Sequence, residues 1–349
     1  MGLLFCSYAS SQDIHFSQIF ENPLSLNPAL SGSFYGDYSA EVNYKNQWNS
    51  AAQNGNGYHT TAATIEMQNI FKHSSSSYFS PALSVFEDKS GDAHISQFEA
   101  NLTLASGVFI NDNSCFAAGL QGGYSQNSIS LSGIQWNSQY INGAYDPTAP
   151  TGESSLGNSF SYADFSAGMA YYYGAGQENM TSNDALKGSA GVAIFHVSHP
   201  STSYFGQSFP GSQLYMKYTG FANMEIGIPD SKITAFPSIV YLQQGPAWEF
   251  DAGAKIRYEL TAKSQYTGNN KGSALDLGAY YRVGDAATFL AGYEWNNFVL
   301  GCSYDFNLSS LTPATHTAGG FEISLRFINF NTNIREGDAA VAHRLMFMN

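Results

Sequence analysis

The chain has 349 residues and combines little charge with many aromatic residues and glycines. Lysine and arginine total 14 and aspartate and glutamate total 27, so the formal net charge is −13 and 12% of the residues are charged, against about 25% in soluble domains. So few basic residues exclude nucleic acid as a partner. No stretch reaches the roughly 18 to 20 apolar residues of a membrane helix, which excludes spanning helices.

Residues 1–11 resemble the end of an export signal. A short apolar run precedes Ala9 and Ser11, which are small residues placed as in a cleavage site. The basic region that begins such signals is missing, and a disordered amino terminus is the alternative. Phe5 before Cys6 is too bulky for a lipoprotein cysteine. We expect residues 1–11 to be the remnant of a signal peptide.

Residues 12–37 predict an irregular arm rather than a strand. Two Asn-Pro pairs lie five residues apart, and each proline keeps the preceding asparagine out of the helical region while the asparagine side chain closes a local turn. The sequence leaves two alternatives open: a contact arm or lumen plug at the periplasmic mouth, where partners would arrive, or an arm that packs inside the barrel and only stabilises it. The candidate contact residues are His15, Phe16, Gln18, Asn22, Pro23, Asn27 and Pro28.

From residue 38 to residue 328 apolar and polar residues alternate with period two, which predicts β-strands. Segments 98–104, 165–171 and 321–327 show the alternation clearly. In 248–260 the apolar face is opposed by a face of one glycine and five charged residues. The apolar residues of that segment are Trp248, Phe250, Ala252, Ala254, Ile256, Tyr258 and Leu260.

Three features favour a transmembrane barrel over a soluble β protein. Charge is sparse and shares the polar face with Gly, Ser and Asn, as in the interior of a membrane barrel. Aromatic residues crowd the strand ends, for example Tyr171-Tyr172-Tyr173, as in the girdles at lipid interfaces. The alternation also extends over nearly 300 residues, far beyond a sandwich of about 100. We therefore predict an all-β chain that forms an antiparallel barrel in the outer membrane.

The lengths of the turns allow the strands to be counted. Short connections at 111–113, 229–231 and 296–297 suit the periplasmic side, and long ones at 135–160, 199–213 and 307–319 suit the outside. The count is about fourteen strands. Three connections fit less well: 244–247 and 283–286 are short yet fall outside, and 262–273 is long yet falls inside. Residues 329–349 form a tail without a predicted element.

The polar faces of the last strands carry charges of both signs. Acidic and basic residues sit close together on the same faces, which predicts a paired network inside the lumen, although in a wide lumen they would line a channel. The predicted network consists of Glu249, Asp251, Lys255, Arg257, Asp276, Arg282 and Glu322.

Cofactor and metal chemistry find little support in the sequence. Cys6, Cys115 and Cys302 are too far apart for a CxxC site, and His196 and His199 lack further ligands. No G-x-S-x-G elbow or phosphate loop is present. A Ser/His pair on a barrel wall stays open as an alternative, because its members would come from different strands.

Several segments resemble one family. Residues 13–32, DIHFSQIFENPLSLNPALSG, look like the opening signature of the PorP/SprF family of type IX secretion-system outer-membrane proteins. NYKNQW at 43–48, FHVSHP at 195–200 and LGAYYR at 277–282 are similar to family segments in the same order, followed by SYDFNLS at 303–309 and GFEISL at 320–325. A departure is Ile14, where the family often has proline.

The resemblance implies a non-enzymatic outer-membrane barrel that binds, anchors or helps export surface proteins for type IX secretion or gliding motility. The implied partners are a secreted surface protein or its carboxy-terminal sorting domain, periplasmic components of the secretion machine, and outer-membrane lipid. No cofactor is implied. The alternatives are a porin or solute channel and, third, a barrel lipid hydrolase.

Overall fold

The structure, a computed structural model, describes residues 13–329 apart from 35, 50–55, 69–75, 92, 131–133, 153–156, 176–182, 205–211, 262–271 and 311. The predicted signal remnant and the tail beyond residue 329 lie outside the described residues. Among the described helices, none is long and apolar enough to cross a membrane.

Fourteen antiparallel strands form a closed barrel, which confirms the predicted fold and strand count. The wall closes where the first strand pairs with the last over ten residues, from Tyr38–Asn329 to Gln47–Gly320. A separate two-stranded hairpin lies in the long connection between the fifth and sixth wall strands. The wall strands are β1 (Tyr38–Gln47), β2 (Tyr58–Met67), β3 (Ser77–Ser90), β4 (Ile95–Asn111), β5 (Ser114–Ser128), β8 (Ser159–Ala175), β9 (Leu186–Phe195), β10 (Lys217–Gly227), β11 (Ile233–Gln244), β12 (Ala247–Thr261), β13 (Ser273–Arg282), β14 (Ala286–Trp295), β15 (Phe298–Asn307) and β16 (Ala318–Asn329), and the hairpin is β6 (Tyr140–Ile141) and β7 (Ala144–Tyr145).

The alternation of side chains follows the sequence pattern. Apolar residues point outward, as shown by Phe165 and Leu277, which are 57% and 67% exposed. Polar residues point into the lumen, where Lys45 and Glu322 are 2% and 1% exposed. An apolar outer face with a polar, buried inner face is the arrangement of a barrel in lipid.

Aromatic side chains lie in contact near both ends of the wall. At one end Trp295 stacks on Phe298, with ring centroids 5.6 Å apart. At the other end Trp48 contacts Tyr58 edge to face at 5.5 Å, and Tyr304 contacts Phe306 at 4.8 Å. Two aromatic belts separated by an apolar band fit the two interfaces of a bilayer.

The two ends of the barrel differ in their connections. The turns at 111–113, 229–231 and 296–297 share one end, which we call the short-turn rim, and the connections 129–158, 196–216 and 308–317 share the other, the long-loop rim. The tight β11–β12 and β13–β14 turns also lie at the long-loop rim, as the sequence indicated. Most of the connection 262–272 lies outside the described residues. Long loops face the cell exterior in bacterial barrels.

The arm, residues 13–34, fills the lumen. It is built from three short helical turns, at Ile19–Glu21, Pro23–Leu26 and Pro28–Leu30. Its apolar side chains form the core with inward rings and aliphatic groups of the wall. These core residues are Leu26, Ala29, Leu30, Tyr78, Phe109, Cys115, Ala117, Ala170, Tyr172, Phe221 and Val240.

The arm packs inside the barrel, which was one of the two alternatives, and it runs the length of the barrel instead of staying at the periplasmic mouth. Asp13 lies at the long-loop rim, against Gln244 at the end of β11. At the short-turn rim Asp37 donates its backbone N–H to Asn329. The lumen is apolar toward the short-turn rim, and the compact helical turns that begin at the two Asn-Pro pairs fill this part.

Candidate functional site

The arm begins at an ionic cluster on the long-loop rim. The Asp13 carboxylate lies 2.8 Å from Lys217 Nζ and 2.6 Å from His196 Nε2, and Gln244 Nε2 donates to it at 2.9 Å. The other ring nitrogen of His196 contacts Asp164 at 2.8 Å. We call Asp13, His196, Lys217 and Gln244 the rim latch.

The electrostatics of the rim latch favour its charged form. Burial raises the pKa of Asp13, but the charges of Lys217 and His196 outweigh burial and hold this pKa well below its ordinary value. Burial lowers the pKa of His196, yet the charge of Asp13 and the hydrogen bonds to Asp13 and Asp164 raise it to about 9. At neutral pH the cluster therefore holds an imidazolium between two carboxylates.

The next residues of the arm contact β1, β15 and β16. Lys45 Nζ donates to the carbonyl of His15 at 3.0 Å. Ser17 donates its N–H to Glu322 at 2.7 Å and its hydroxyl to Asp305 at 2.6 Å. Gln18 accepts from the hydroxyl of Ser324 at 2.9 Å. Wall polar groups thus replace the hydrogen bonds that this irregular backbone would otherwise make with water.

His15 is neutral inside the lumen. Its Nε2 lies 3.8 Å from Glu249, whose charge raises the pKa of His15. Burial and the charges of Lys45 and Arg282 act in the opposite direction and together bring this pKa down to about 4. The His15–Glu249 contact is therefore not an ion pair at neutral pH.

Asn27 anchors the middle of the arm to the seam between β8 and β9. Its side-chain amide donates to Met169 O at 3.0 Å and to Val192 O at 3.1 Å. Its oxygen accepts from the N–H of Ala29 at 2.8 Å, which closes the turn that the Asn-Pro pair predicted. Wall glycines at 168 and 191 leave room for it, since a Cβ on either would collide with the Asn27 side chain.

The predicted charge network forms two groups of ion pairs. Arg282 lies 3.3 Å from Glu249 and from Asp251, and it also reaches Asp305 at 3.5 Å. Asp276 lies 3.4 Å from Lys255 and 3.5 Å from Arg257.

Two contacts lead from this network to other residues. Lys255 Nζ also lies 3.8 Å from Oε1 of Glu21 in the arm. Glu322, the seventh predicted member, accepts hydrogen bonds from the arm backbone instead of pairing with a wall cation. The network therefore holds the arm as well as the wall.

The seven candidate contact residues of the arm all lie inside the barrel. Phe16 packs against Phe86, with ring centroids 6.3 Å apart, and His15 is only partly buried. The others, Gln18, Asn22, Pro23, Asn27 and Pro28, are buried. A role in partner binding stays a prediction, and it would require these residues to leave the lumen.

Sequence reasoning missed the rim latch as a unit. Lys217 and Gln244 carry no local signal, because they lie far from Asp13 in the sequence and meet it only when the arm threads the barrel. The Asp13 in the opening motif and the His196 in FHVSHP were available as separate signals.

Small cavities remain beside the arm within the described residues. Two cavities lie along the arm, one beside Ser17 and Arg282 and the other beside Asp13 and Lys217. Each is large enough for only one to a few water molecules. Within the described part of the chain, no group of three or more His, Cys, Asp or Glu side chains is arranged to hold a metal ion.

A comparison with known families finds a match that includes the opening motif at residues 13–32. The sequence profile described as type IX secretion system membrane protein PorP/SprF matches residues 9–327. The chain belongs to the PorP/SprF family. This match covers both the arm and the barrel, so the family resemblance is confirmed and the barrel lies in the outer membrane. A comparison with curated proteins found no match.

Of three solved structures that are similar to this PorP/SprF chain, only the first reaches a TM-score of 0.50. The toluene transporter TbuX of Ralstonia pickettii is 10% identical over 90% of this chain and 94% of its own, with a TM-score of 0.50. The CymD monoaromatic hydrocarbon channel is 10% identical over 89% and 93%, with a TM-score of 0.44. A Pseudomonas aeruginosa FadL homologue is 11% identical over 86% and 91%, also at 0.44. At these identities the likeness concerns the fold alone.

Proposed function

We propose that this PorP/SprF barrel binds, anchors or helps export surface proteins as a non-enzymatic accessory of the type IX secretion or gliding machinery. Its proposed partners are a secreted surface protein or its carboxy-terminal sorting domain on the outside, and components of the secretion machine in the periplasm. The observation that carries the proposal is the family membership combined with a lumen that the chain's own arm fills.

Because the arm fills the lumen, the two rims are the surfaces left for binding a partner. The long-loop rim presents the β6–β7 hairpin, in which Tyr140 and Ile141 are about half exposed. The Tyr140 and Tyr145 rings contact each other at 5.6 Å. Exposed aromatic side chains outside the lipid band are typical of protein contacts. They support the long-loop rim as the side that meets the surface protein.

The rim histidine does not support a hydrolase. A nucleophile needs a base within hydrogen-bond reach. Ser198 lies beside His196, but its hydroxyl contacts Asp164 at 3.2 Å and Ala163 O at 3.3 Å. Both His196 nitrogens are taken by carboxylates. Among the described residues this Ser/His pair is therefore not arranged for catalysis.

Affinity purification of the tagged barrel from outer membranes tests the proposal. We expect secreted surface proteins to co-purify, and we expect the double variant Tyr140→Ser/Tyr145→Ser to lose them while its barrel stays in the membrane. A matched control at the short-turn rim, Asp112→Asn, should retain them. If the wild-type barrel is recovered in the same yield as the control variant but no surface protein co-purifies with it, the proposal is contradicted.

A further inference from the structure

The rim latch resembles a receptor site whose ligand happens to be part of the same chain. A single carboxylate is bound by an ammonium, an imidazolium and an amide, which come from β10, from the residue after β9 and from the end of β11. The side chains of His196 and Lys217 are only 8% and 12% exposed. The backbone N–H of Asp13 also donates to Gln244 Oε1 at 2.9 Å, so Gln244 binds both the carboxylate and the chain.

The two halves of the arm are held differently. From residue 23 onward, wall glycines admit the arm, and Gly119 lies so close to Pro28 that an added Cβ would be 2.5 Å from its carbonyl oxygen. From residue 13 to residue 21, hydrogen bonds and ion pairs to wall side chains add to the apolar contacts of Phe16 and Phe20, and both described cavities adjoin this part. One wall glycine, Gly301, admits the Gln18 side chain here. The polar contacts can be exchanged for equivalent ones, whereas the close approach of Gly119 to the Pro28 backbone cannot.

The departure of Asp13 would leave Lys217 without an ion-pair partner. Among the described residues, Lys217 has no other carboxylate within ion-pairing distance, and its ammonium lies 4.6 Å from the centroid of the Phe195 ring. A largely buried ammonium without a counter-charge is strongly disfavoured. Asp164 on β8 and Glu99 on β4 also face the cluster, but Asp164 is bound to the far side of His196. Another carboxylate in the place of Asp13 would restore the ion pair with Lys217.

We propose that His196, Lys217 and Gln244 form a carboxylate-binding site for an extended acidic segment of a surface partner, which enters from the long-loop rim and displaces residues 13–21. The proposal deepens the proposed function and rests on it, because it assigns the partner-binding role to a defined site. Asp13 occupies the site in this structure in the way that a bound ligand would.

The displaced segment defines the chemistry of the ligand. Its first residue is an aspartate, and Phe16 fills a pocket against Phe86 and Ala62 three positions later. Phe20 meets Phe221 edge to face at 6.4 Å, and Glu21 faces Lys255. A competing segment should therefore carry a carboxylate, an aromatic residue three residues after it, and an aromatic and an acidic residue seven and eight residues after it.

Peptide binding to the full-length protein in detergent tests the site. The probe is a fluorescent peptide with the sequence of residues 13–21, DIHFSQIFE, and the protein is the conservative variant Asp13→Asn, whose own arm is less firmly held. We expect this peptide to bind at least tenfold more tightly than NIHFSQIFE, and the additional change Lys217→Met to abolish the difference. Equal affinity of the two peptides, or no binding of DIHFSQIFE to the Asp13→Asn protein, would overturn the proposal.

A second measurement uses the wild-type latch and does not depend on that variant. Ile14→Cys is introduced with Cys6 and Cys302 replaced by Ser, while the buried Cys115 is kept. We expect labelling of position 14 in intact cells by an impermeant maleimide to rise at least fivefold when DIHFSQIFE is added, but not with NIHFSQIFE. Equal labelling with both peptides would contradict displacement.

The two proposals can fail separately. If surface proteins co-purify with the barrel but neither peptide distinguishes the site, the partner binds elsewhere and the carboxylate-site proposal is refuted. If the peptide binds as expected while no surface protein co-purifies, the site stands and the proposed function fails.

Discussion

An alanine at Gly119 tests whether the arm is a matched part of the barrel. Gly119 on β5 faces the lumen, and an added Cβ would lie 2.5 Å from Pro28 O and 2.6 Å from Ala29 N. Both neighbours are backbone atoms of a compact helical turn, so the arm must shift as a unit. Overpacking of this kind costs about 1 to 3 kcal/mol.

The matched control is Gly220→Ala on β10. An added Cβ there meets nothing within 4 Å. We therefore expect this variant only to raise the free energy of unfolding, by the roughly 0.5 to 1 kcal/mol by which alanine is favoured over glycine in a strand. The difference between the two variants then isolates the collision with the arm, at about 1 to 3 kcal/mol.

Urea unfolding in phospholipid vesicles measures this difference, and limited proteolysis of the arm locates it. We expect Gly119→Ala to lower the free energy of unfolding relative to Gly220→Ala, and to speed cleavage within residues 13–34 by roughly fivefold or more. Equal stability and equal cleavage of the two variants would refute the claim that the wall is built around the arm.

Four further predictions follow from the same contacts. Ala254→Arg places a charge on the outer face near mid-wall and should cost about 2 to 4 kcal/mol in vesicle unfolding, whereas Ala254→Leu should cost almost nothing; similar costs would reverse the assignment of the faces. Phe16→Ala removes a buried ring from its contact with Phe86 and should cost about 3 kcal/mol or more by the same assay, and a loss below about 1 kcal/mol would mean that the ring does not pack as described. The contribution of Asp13 to docking is present above its ordinary pKa of 3.8 and lost as the pH falls below it, while that of His196 is present below 6.5 and lost as the pH rises through about 9. Because the docked arm lowers the pKa of His15 to about 4, protonation of His15 weakens docking as the pH falls below 6.5, so arm cleavage should be slowest near pH 6.5, and a rise toward pH 9 should be absent in Asp13→Asn. In planar bilayers the wild-type barrel should show no steady conductance, and a constant ohmic current from every inserted barrel would favour the channel alternative.

The barrel itself was accessible to sequence analysis because its signals are local. Period-two alternation indicates which residues of a strand face lipid, and the longest connections indicate which rim faces outside, although the short β11–β12 and β13–β14 turns lie at that rim too. Trp248 and Ile256 on the outside, opposite Asp251 on the inside, follow directly from this rule. Charges on neighbouring strands that face one lumen must come close, so the pairing of Arg282 with Glu249 and Asp251 could also be anticipated.

The path of the arm was not accessible to sequence analysis. The Asn-Pro pairs predicted its turns, and Asn27 closes one of them as expected. Its direction depends on contacts between residues more than 140 positions apart, such as Asn27 with Met169 and Asp13 with Gln244. No local pattern encodes such pairs, and glycines that admit the arm look in the sequence like any other strand glycine.

The proposed role in presenting surface proteins is tested by surface display of a type IX cargo protein, counted together with barrel abundance. We expect cells without this chain to lose the cargo from their surface, and the wild-type chain to restore it. We also expect Tyr140→Ser/Tyr145→Ser to restore the barrel to the outer membrane without restoring the cargo. Full display in cells that lack the chain would refute the proposed role.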